Sequence, residues 1–256
     1  MLLSKIKIVL VEPTHPGNIG SVARAMKTMG LSSLVLVNPK KFPHYEASKL
    51  AAGAESVLEQ AQIYGDLNEA ISEATLVVGT SVREREISWP TKNPKDIAET
   101  AIEHLTSNLH GSVAILFGRE SSGLTNDEMD LCQMQIKIDA NPEYSSLNLA
   151  SAVQILAYEL RMCWLKTRSD QMPSPDSKLG TSYHIRQQAA TRKQLDGHLE
   201  HLQSTIESLN FVKSRPPTQL MRKLTRLYAK AELTVEEIQI LRGILSAIDQ
   251  ELSIDN

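Results

Sequence analysis

Short apolar runs rich in β-branched residues alternate with amphipathic segments through the first two thirds of the chain, and this alternation constrains the fold most. Five runs have the length and composition of strands buried on both faces of a parallel sheet: residues 6–11, 33–38, 75–80, 112–118 and 134–139. An amphipathic helix is predicted after Pro94, and another from Leu147 to about Lys166. The pattern therefore predicts an α/β domain.

The pattern changes after Thr167, which divides the chain into three parts. Residues 1–167 form the α/β domain, and residues 168–183 are a polar, proline-containing linker. Residues 184–256 lack strand signals and predict three helices at about 186–209, 217–232 and 234–252, the last with a capping box formed by Thr234 and Glu237. His198 and His201 share a helix face and are interpreted as solvated surface residues.

Composition argues against a disulfide-bonded protein and against a membrane protein. The net charge of -3 gives no sign of nucleic-acid binding by the whole molecule, although a local basic patch remains compatible with it. The two cysteines have no partner at metal-site spacing, which suits a reducing compartment. No apolar run reaches the roughly 18 residues of a membrane span, so we expect no membrane association and a cytoplasmic location.

The loop after the first strand resembles a phosphate-binding turn, yet it fits neither common nucleotide motif. Gly17 and Gly20 lack the third glycine of a dinucleotide fingerprint, and the second strand ends without an acid. The Gly-Lys-Ser/Thr ending of a P-loop is also missing. The Asn18 side chain can cap the following helix, which would place Arg24 on its outer face.

Two later stretches share the character of ligand-binding loops. Residues 116–124 (LFGRESSGL) end a strand in glycine, and ligands of α/β sheets bind beyond the carboxyl ends of strands. In residues 138–156, Pro142 breaks the chain before a helix. Ser145 or Ser146 can serve as the N-cap of that helix, with Asn148 in its first turn.

Together and in this order, the three stretches resemble the SPOUT methyltransferases, knotted RNA methylases that use S-adenosylmethionine. The matching residues are Asn18, Gly20 and Arg24 in the first motif, Phe117, Gly118, Glu120 and Gly123 in the second, and Pro142, Ser146, Leu147 and Asn148 in the third. The resemblance implies a parallel sheet with helices on both faces, a trefoil knot near the third motif, and a small all-helical extension. It also implies a homodimer whose active sites are completed across the subunit interface.

The resemblance also assigns roles to individual residues. The catalytic set is Arg24, Asn18, Glu120, Ser146 and Asn148, and the residues expected to bind S-adenosylmethionine are Thr80, Ser81, Val82, Gly118, Ile138, Ser145, Ser146 and Leu147. Core packing is an alternative role for Ile138 and Leu147. No metal is expected, because the sulfonium methyl group is already activated. Arginine is a poor base, so Arg24 would assist proton removal or stabilise the developing alkoxide and position a phosphate.

The chain looks closest to the branch of this family that methylates the ribose 2′-hydroxyl of cytidine or uridine at position 32 of the tRNA anticodon loop. Lys213, Arg215, Arg222, Lys223, Arg226 and Lys230 make a basic stretch without an acid, and Arg83 and Arg85 are further candidates for RNA contact. A solvated helix face would also explain the basic stretch. The alternatives for the whole chain are a ribose methylase of another tRNA or rRNA site and a non-catalytic RNA-binding protein.

Overall fold

A computed structural model describes residues 2–81, 89–170, 188–209, 211 and 217–254. Its centre is a seven-stranded sheet in the order β3-β2-β1-β6-β4-β7-β5, in which every recorded strand pair is parallel. The strands are β1 (Ile6–Val11), β2 (Ser33–Val37), β3 (Gln62–Tyr64), β4 (Leu76–Thr80), β5 (Thr91–Lys92), β6 (Val113–Phe117) and β7 (Met134–Ile136).

Ten α-helices and a short 3₁₀ helix (Leu3–Lys5) accompany the strands in the described part of the chain. The α-helices are α1 (Pro16–Met29), α2 (Tyr45–Ala51), α3 (Glu55–Glu59), α4 (Leu67–Ile71), α5 (Pro94–Ser107), α6 (Asn126–Asp130), α7 (Leu149–Asp170), α8 (Arg192–Ser208), α9 (Pro217–Lys230) and α10 (Val235–Ile254). The last three form the helical extension.

The sheet is buried on both faces, because alternate strand residues enter two separate cores. In β1, Ile8 packs with α1, α5 and α7 on one face, whereas Val9 packs with α4 and α6 on the other. The predicted α/β arrangement with helices on both faces is confirmed.

The strand order reverses at β1 and β6, and this reversal locates a binding crevice. These two strands are neighbours, but the chain leaves β1 towards β2 on one side and leaves β6 towards β7 on the other. In open parallel sheets, ligands bind beyond the carboxyl ends of strands at such a reversal. The loops after Val11 and Phe117, which carry two of the three motifs, therefore meet there.

All five predicted strands are present, but two edge strands were not predicted. β3 and β5 are only three and two residues long, and Gln62 and Ile63 are exposed. Such short edge strands bury too little apolar surface to leave a periodic pattern in the sequence.

The observed starts of α1 and α7 show that two of the predicted helix caps are wrong. α1 begins at Pro16, so Asn18 lies inside the first turn and does not cap it. α7 begins at Leu149, and Asn148 rather than either serine precedes it, with Asn148 Oδ1 accepting the Ala150 amide at 2.9 Å. α7 also runs to Asp170, three residues past the predicted domain end, and residues 171–183 of the predicted linker lie outside the described residues.

The helical extension has its own small core and packs against the α/β domain. Leu195, Leu199 and Ile238 form that core, and the capping box of Thr234 and Glu237 is confirmed. The Arg192 amide donates to the Ala74 carbonyl at 2.8 Å, which ties the start of α8 to the connection between α4 and β4.

The interpretation of the two histidines as solvated is wrong. His198 is 1% exposed and meets the Tyr228 ring edge-on at 4.8 Å between centroids, and burial lowers its pKa. His201 contacts Asp249 at 2.8 Å. Both side chains therefore support packing between the helices of the extension.

Candidate active site

One crevice of about 220 Å³ opens beyond the carboxyl ends of β4, β6 and β7. Every predicted donor-binding residue that the structure describes lines it: Thr80, Ser81, Gly118, Ile138, Ser145, Ser146 and Leu147. Val82 lies outside the described residues. Ile138 also packs against the core, whereas Leu147 is 39% exposed and is therefore not a core residue in this chain.

The loop after β6 brings main-chain atoms to the wall of the crevice. Arg119 and Gly123 pair through both backbone amides, at 3.2 and 2.8 Å, and Gly123 has a left-handed φ of 66°. A Cβ atom on Gly118 would lie 2.1 Å from the Gly123 carbonyl carbon. Glycine is therefore required at position 118 for the loop to close.

Glu120 joins this loop to the loop after β1. Its carboxylate accepts hydrogen bonds from the Thr14 hydroxyl at 2.8 Å, the Thr14 amide at 3.0 Å and the His15 amide at 3.2 Å. It also accepts from Asn18 Nδ2 at 3.0 Å. The second motif is thus held to the first through one side chain.

Asn148 extends the network to the third motif. Asn148 Nδ2 donates to Asn18 Oδ1 at 3.0 Å. Asn148 Oδ1 accepts the Ala150 amide, so the Asn148 amide group is left to donate to Asn18 Oδ1. Asn18 therefore points its own amide hydrogens at Glu120. The three motifs are therefore connected by hydrogen bonds of fixed direction that end on a carboxylate.

The carboxylate at the end of this network is ionised. Burial opposes its charge, but the hydrogen bonds from Asn18 and from the Thr14 amide and hydroxyl outweigh burial and lower the pKa of Glu120 to about 2. Glu120 lines the crevice. A full negative charge at this wall favours a cationic ligand and leaves Glu120 too weakly basic to accept a proton near neutral pH.

Arg119 contributes to the site although the sequence did not single it out. Its guanidinium binds Glu128 through two nitrogens, at 3.0 and 2.9 Å, and Glu12 through two, at 3.1 and 2.9 Å. The hydrogen bonds that it donates to Glu128 and Glu12 raise its pKa. Two acids at unrelated sequence positions give no local spacing pattern, so sequence reasoning could not pair them.

Arg24 stands apart from the network within one chain. It is exposed, lies six residues after Asn18 on α1, and points about 120° away from it around the helix axis. Within the described residues, its guanidinium makes no hydrogen bond or ion pair. Ser146 lines the crevice and is exposed. A single chain therefore assembles four of the five predicted catalytic residues in or beside the crevice, and Arg24 points elsewhere.

Two arginines of the basic stretch, Arg222 and Arg226, contact the α/β domain. Arg222 forms an ion pair with Asp130 of α6, and the Arg226 guanidinium lies 4.9 Å from the ring centroid of buried Trp89. The part of the α9 surface that carries these two arginines therefore faces the α/β domain. Leu227, expected on the apolar side, is 62% exposed.

The other cations of the basic stretch differ from these two. Lys223 and Lys230 are exposed. Arg83, Arg85, Lys213 and Arg215 lie outside the described residues. No group of three or more metal-ligating side chains occurs among residues for which the structure gives positions, and no helix among them is long and apolar enough to cross a membrane.

A parallel sheet, a crevice at its reversal point and three motifs joined around it are the features of a SPOUT-type methyltransferase domain. The chain belongs to the SpoU rRNA methylase family, whose model matches residues 5–158, and residues 193–256 match the model of the C-terminal domain of the tRNA methyltransferase TrmJ. The resemblance inferred from the motifs is thereby confirmed.

Individual relatives resemble the chain over nearly its whole length. It is 44% identical over 245 residues to the tRNA (cytidine/uridine/adenosine-2′-O-)-methyltransferase TrmJ of Pseudomonas aeruginosa, covering 96% of this chain and 94% of that protein. It is 45% identical over 250 residues to the tRNA (cytidine/uridine-2′-O-)-methyltransferase TrmJ of Klebsiella pneumoniae, covering 98% of both. The crystal structure of TrmJ from Z. mobilis ZM4 matches with a TM-score of 0.79 at 33% identity, covering 95% of this chain and 98% of that one.

Proposed function

We propose that this protein is an S-adenosylmethionine-dependent methyltransferase that modifies the ribose 2′-hydroxyl of cytidine or uridine at position 32 in the tRNA anticodon loop. The observation that carries the proposal is the convergence of the three motifs on one crevice through Glu120, Asn18 and Asn148. The similarity to TrmJ proteins over nearly the whole chain supports tRNA as the substrate class.

The crevice has the chemistry that a sulfonium donor requires. Leu124, Ile136 and Leu147 supply an apolar wall for an adenine ring, while the main chain from Gly118 to Gly123 offers polar groups. The ionised Glu120 complements a positive charge. When bound, S-adenosylmethionine would supply a methyl group that is already activated, and no metal is proposed.

The chain's own residues would position the ribose. Asn18 and Asn148 hold Glu120 and the start of α7 in one geometry, and Ser146 presents a hydroxyl at the crevice. Holding reacting groups in line can supply several kcal/mol of the barrier reduction. Glu120 stays ionised and does not take the ribose proton. Arg24 would contact the ribose and a neighbouring phosphate and stabilise the developing alkoxide.

Arg24 reaches this chemistry in a homodimer, which we propose as the active form. α7 carries an exposed apolar stripe beside α1 formed by Ile155, Tyr158, Met162 and Leu165, which are 36%, 48%, 38% and 40% exposed. Their spacing of three and four residues makes one continuous helix face that a second copy would cover. Arg24 would then enter the partner's crevice.

The remaining parts of the chain take their roles from this assignment. We propose residues 1–167 as the methyltransferase domain with a trefoil knot near the third motif, 168–183 as a linker, and 184–256 as a tRNA-binding extension. The proposed RNA contacts among the described residues are Arg222, Lys223, Arg226 and Lys230, with Arg83 and Arg85 as further candidates. A tRNA substrate would place the enzyme in the cytoplasm.

One experiment tests the proposal directly. The protein is incubated with unmodified bulk tRNA and S-adenosylmethionine carrying a labelled methyl group, and the methylated nucleotide is mapped by mass spectrometry. We expect 2′-O-methylcytidine and 2′-O-methyluridine at position 32, and Arg24→Ala should bind the donor normally while losing at least about 100-fold in turnover.

The other outcomes identify the alternatives. Label at a different tRNA site, or in rRNA offered in parallel, would identify that site as the substrate in place of position 32. RNA binding without donor binding by calorimetry would identify a non-catalytic RNA-binding protein. Near-normal turnover by Arg24→Ala would remove Arg24 from the mechanism.

A further inference from the structure

The Arg119 guanidinium bridges two carboxylates that belong to different loops of the site. Glu12 follows β1, and Glu128 lies on α6. Arg119 contacts each acid through two of its nitrogens, all four at 2.9–3.1 Å. Its side chain is 20% exposed, and that of Glu128 is 15% exposed. Water therefore screens these contacts less than it screens an ordinary surface ion pair.

Each bridged acid is tied to a group that shapes the crevice. Glu12 immediately precedes Pro13 and Thr14, and Thr14 holds the Glu120 carboxylate. Glu128 accepts the Thr125 amide at 2.7 Å, which fixes the start of α6 just after the crevice loop. Arg119 itself lies between Gly118 and Glu120 in the sequence and lines the crevice.

The backbone at Glu12 shows that this connection is imposed by its surroundings. Glu12 has a φ of 46°, in the left-handed region that disfavours residues with a side chain. Such a conformation is strained for a residue with a side chain and persists where surrounding contacts determine it. The Glu12 amide donates to the Val37 carbonyl at 2.8 Å, and its carboxylate faces Arg119.

We propose that Arg119 is a positioning residue for the methyl donor, holding the crevice loop 118–123 against the loop 12–15. The inference rests on the proposed function and adds to it a residue that lies within the second motif stretch but is not one of its matching positions. Only a planar guanidinium has enough donors in a fixed fork to serve two carboxylates at once, whereas lysine would hold one acid as a point charge. Charge alone is therefore insufficient at this position.

The test compares Arg119→Lys with Arg192→Lys in the full-length protein. Arg192 is a suitable control because it is an even less exposed arginine that also holds a carboxylate, pairing with Asp196 at 2.6 Å. It donates to the Leu131 carbonyl at 3.1 Å, near the amino end of β7 and away from the crevice. Calorimetry gives the Kd of S-adenosylmethionine and of S-adenosylhomocysteine, and thermal unfolding gives the Tm of each variant.

We expect Arg119→Lys to raise the Kd of both molecules by about tenfold. Arg192→Lys should change each Kd by no more than about twofold, even if its Tm falls as much as that of Arg119→Lys. Glu12→Gln supplies a second variant that keeps the pair with Glu128. It should raise KM for the donor about threefold and leave KM for tRNA unchanged. If Arg119→Lys does not fold, this KM comparison decides the question.

Either of two results with the lysine variants would overturn the inference: unchanged donor affinity in Arg119→Lys, or an equal loss of affinity in Arg192→Lys at an equal fall in Tm. An unchanged donor KM in Glu12→Gln would do the same. Failure of the proposed function is distinguishable, because it would appear as an absence of donor binding by the wild-type protein.

Discussion

At the scale of single residues, the site depends on the direction of hydrogen bonds. The Ala150 amide at the start of α7 fixes Asn148, Asn148 fixes Asn18, and Asn18 points its amide hydrogens at Glu120. The Ala150 amide therefore determines the orientation of both asparagine side chains. Through them it favours the ionised form of the Glu120 carboxylate.

Asn148→Asp tests this direction while keeping the helix cap. The new carboxylate can still accept the Ala150 amide, but it presents an acceptor to Asn18 Oδ1. We expect methyl transfer to fall at least about 30-fold and stability to fall by about 1–2 kcal/mol. Asn93→Asp is the matched control. Asn93 caps α5 by accepting a hydrogen bond of 2.9 Å from the Asp96 amide, and it does not take part in the network around Glu120. Normal activity of Asn148→Asp would contradict the role of the network.

Glu120 also makes a prediction about pH. Its folded pKa of about 2 lies below its ordinary value of 4.5. The ionised group therefore stabilises the fold above pH 4.5, and this contribution is lost as the pH falls from 4.5 towards 2. Because solvent screens a partly exposed carboxylate, we expect a loss of about 1 kcal/mol across this window.

Urea unfolding of the wild-type protein and of Glu120→Gln at several pH values would measure the contribution of the Glu120 charge to stability. The difference in free energy of unfolding between the two proteins should shrink as the medium becomes acidic. A difference independent of pH would show that the network does not depend on the charge of Glu120.

At the scale of elements, two glycines allow backbones to approach where a side chain would prevent it. A Cβ at Gly20 would lie 2.1 Å from the Ala47 carbonyl oxygen, so α1 and α2 can touch only because position 20 has no side chain. Gly118 allows the crevice loop to fold back on Gly123 in the same way. Both positions belong to motifs, and both are explained by packing.

Gly118→Ala should displace the crevice loop, since the contact lies with backbone atoms that cannot rotate away. We expect a loss of at least about 2 kcal/mol in stability and at least about tenfold in donor affinity. Gly197→Ala is the control, because nothing lies within 4 Å of a Cβ at that helical position. It should stabilise the protein by about 0.5–1 kcal/mol. Equal behaviour of the two variants in chemical unfolding would refute the packing argument.

The elements that could be predicted from sequence are those with strong local patterns. The five central strands are apolar and buried, and Thr234 caps α10 three residues before Glu237, so sequence alone located them. β3 and β5 depend on pairing with a neighbour, which leaves no pattern. The predicted donor-binding residues came from the resemblance carried by the ordered motifs. The pairing of Arg119 with Glu12 joins residues 107 positions apart and is set by the strand order, so no local pattern could predict it.

At the scale of the whole molecule, the arginines of α9 connect the extension to the methyltransferase domain. Arg222 binds Asp130 on α6, the same short helix that carries Glu128. Cations that hold two parts of a protein together are less available to phosphate groups, because each must exchange one partner for another. RNA binding and domain docking would therefore compete for Arg222.

Asp130→Asn tests this competition. Removing the acid should free Arg222, and we expect tRNA to bind about threefold more tightly at low salt with a steeper dependence on salt concentration. Asp127→Asn removes the same charge from the same helix, but Asp127 is 97% exposed and lies 4.0 Å from Arg222, so it should change affinity less. Filter binding across a salt series would decide, and equal or weaker tRNA binding by Asp130→Asn would assign Arg222 to docking alone.

Helix α1 turns Asn18 towards its own crevice and Arg24 away from it. In the proposed dimer, two proteins that are inactive for different reasons could restore each other. Arg24→Ala and Asn148→Asp, mixed and allowed to exchange subunits, would form hybrids in which one crevice has an intact network and receives an intact arginine from the neighbour. Activity regained on mixing would show that the unit of catalysis is shared between polypeptides.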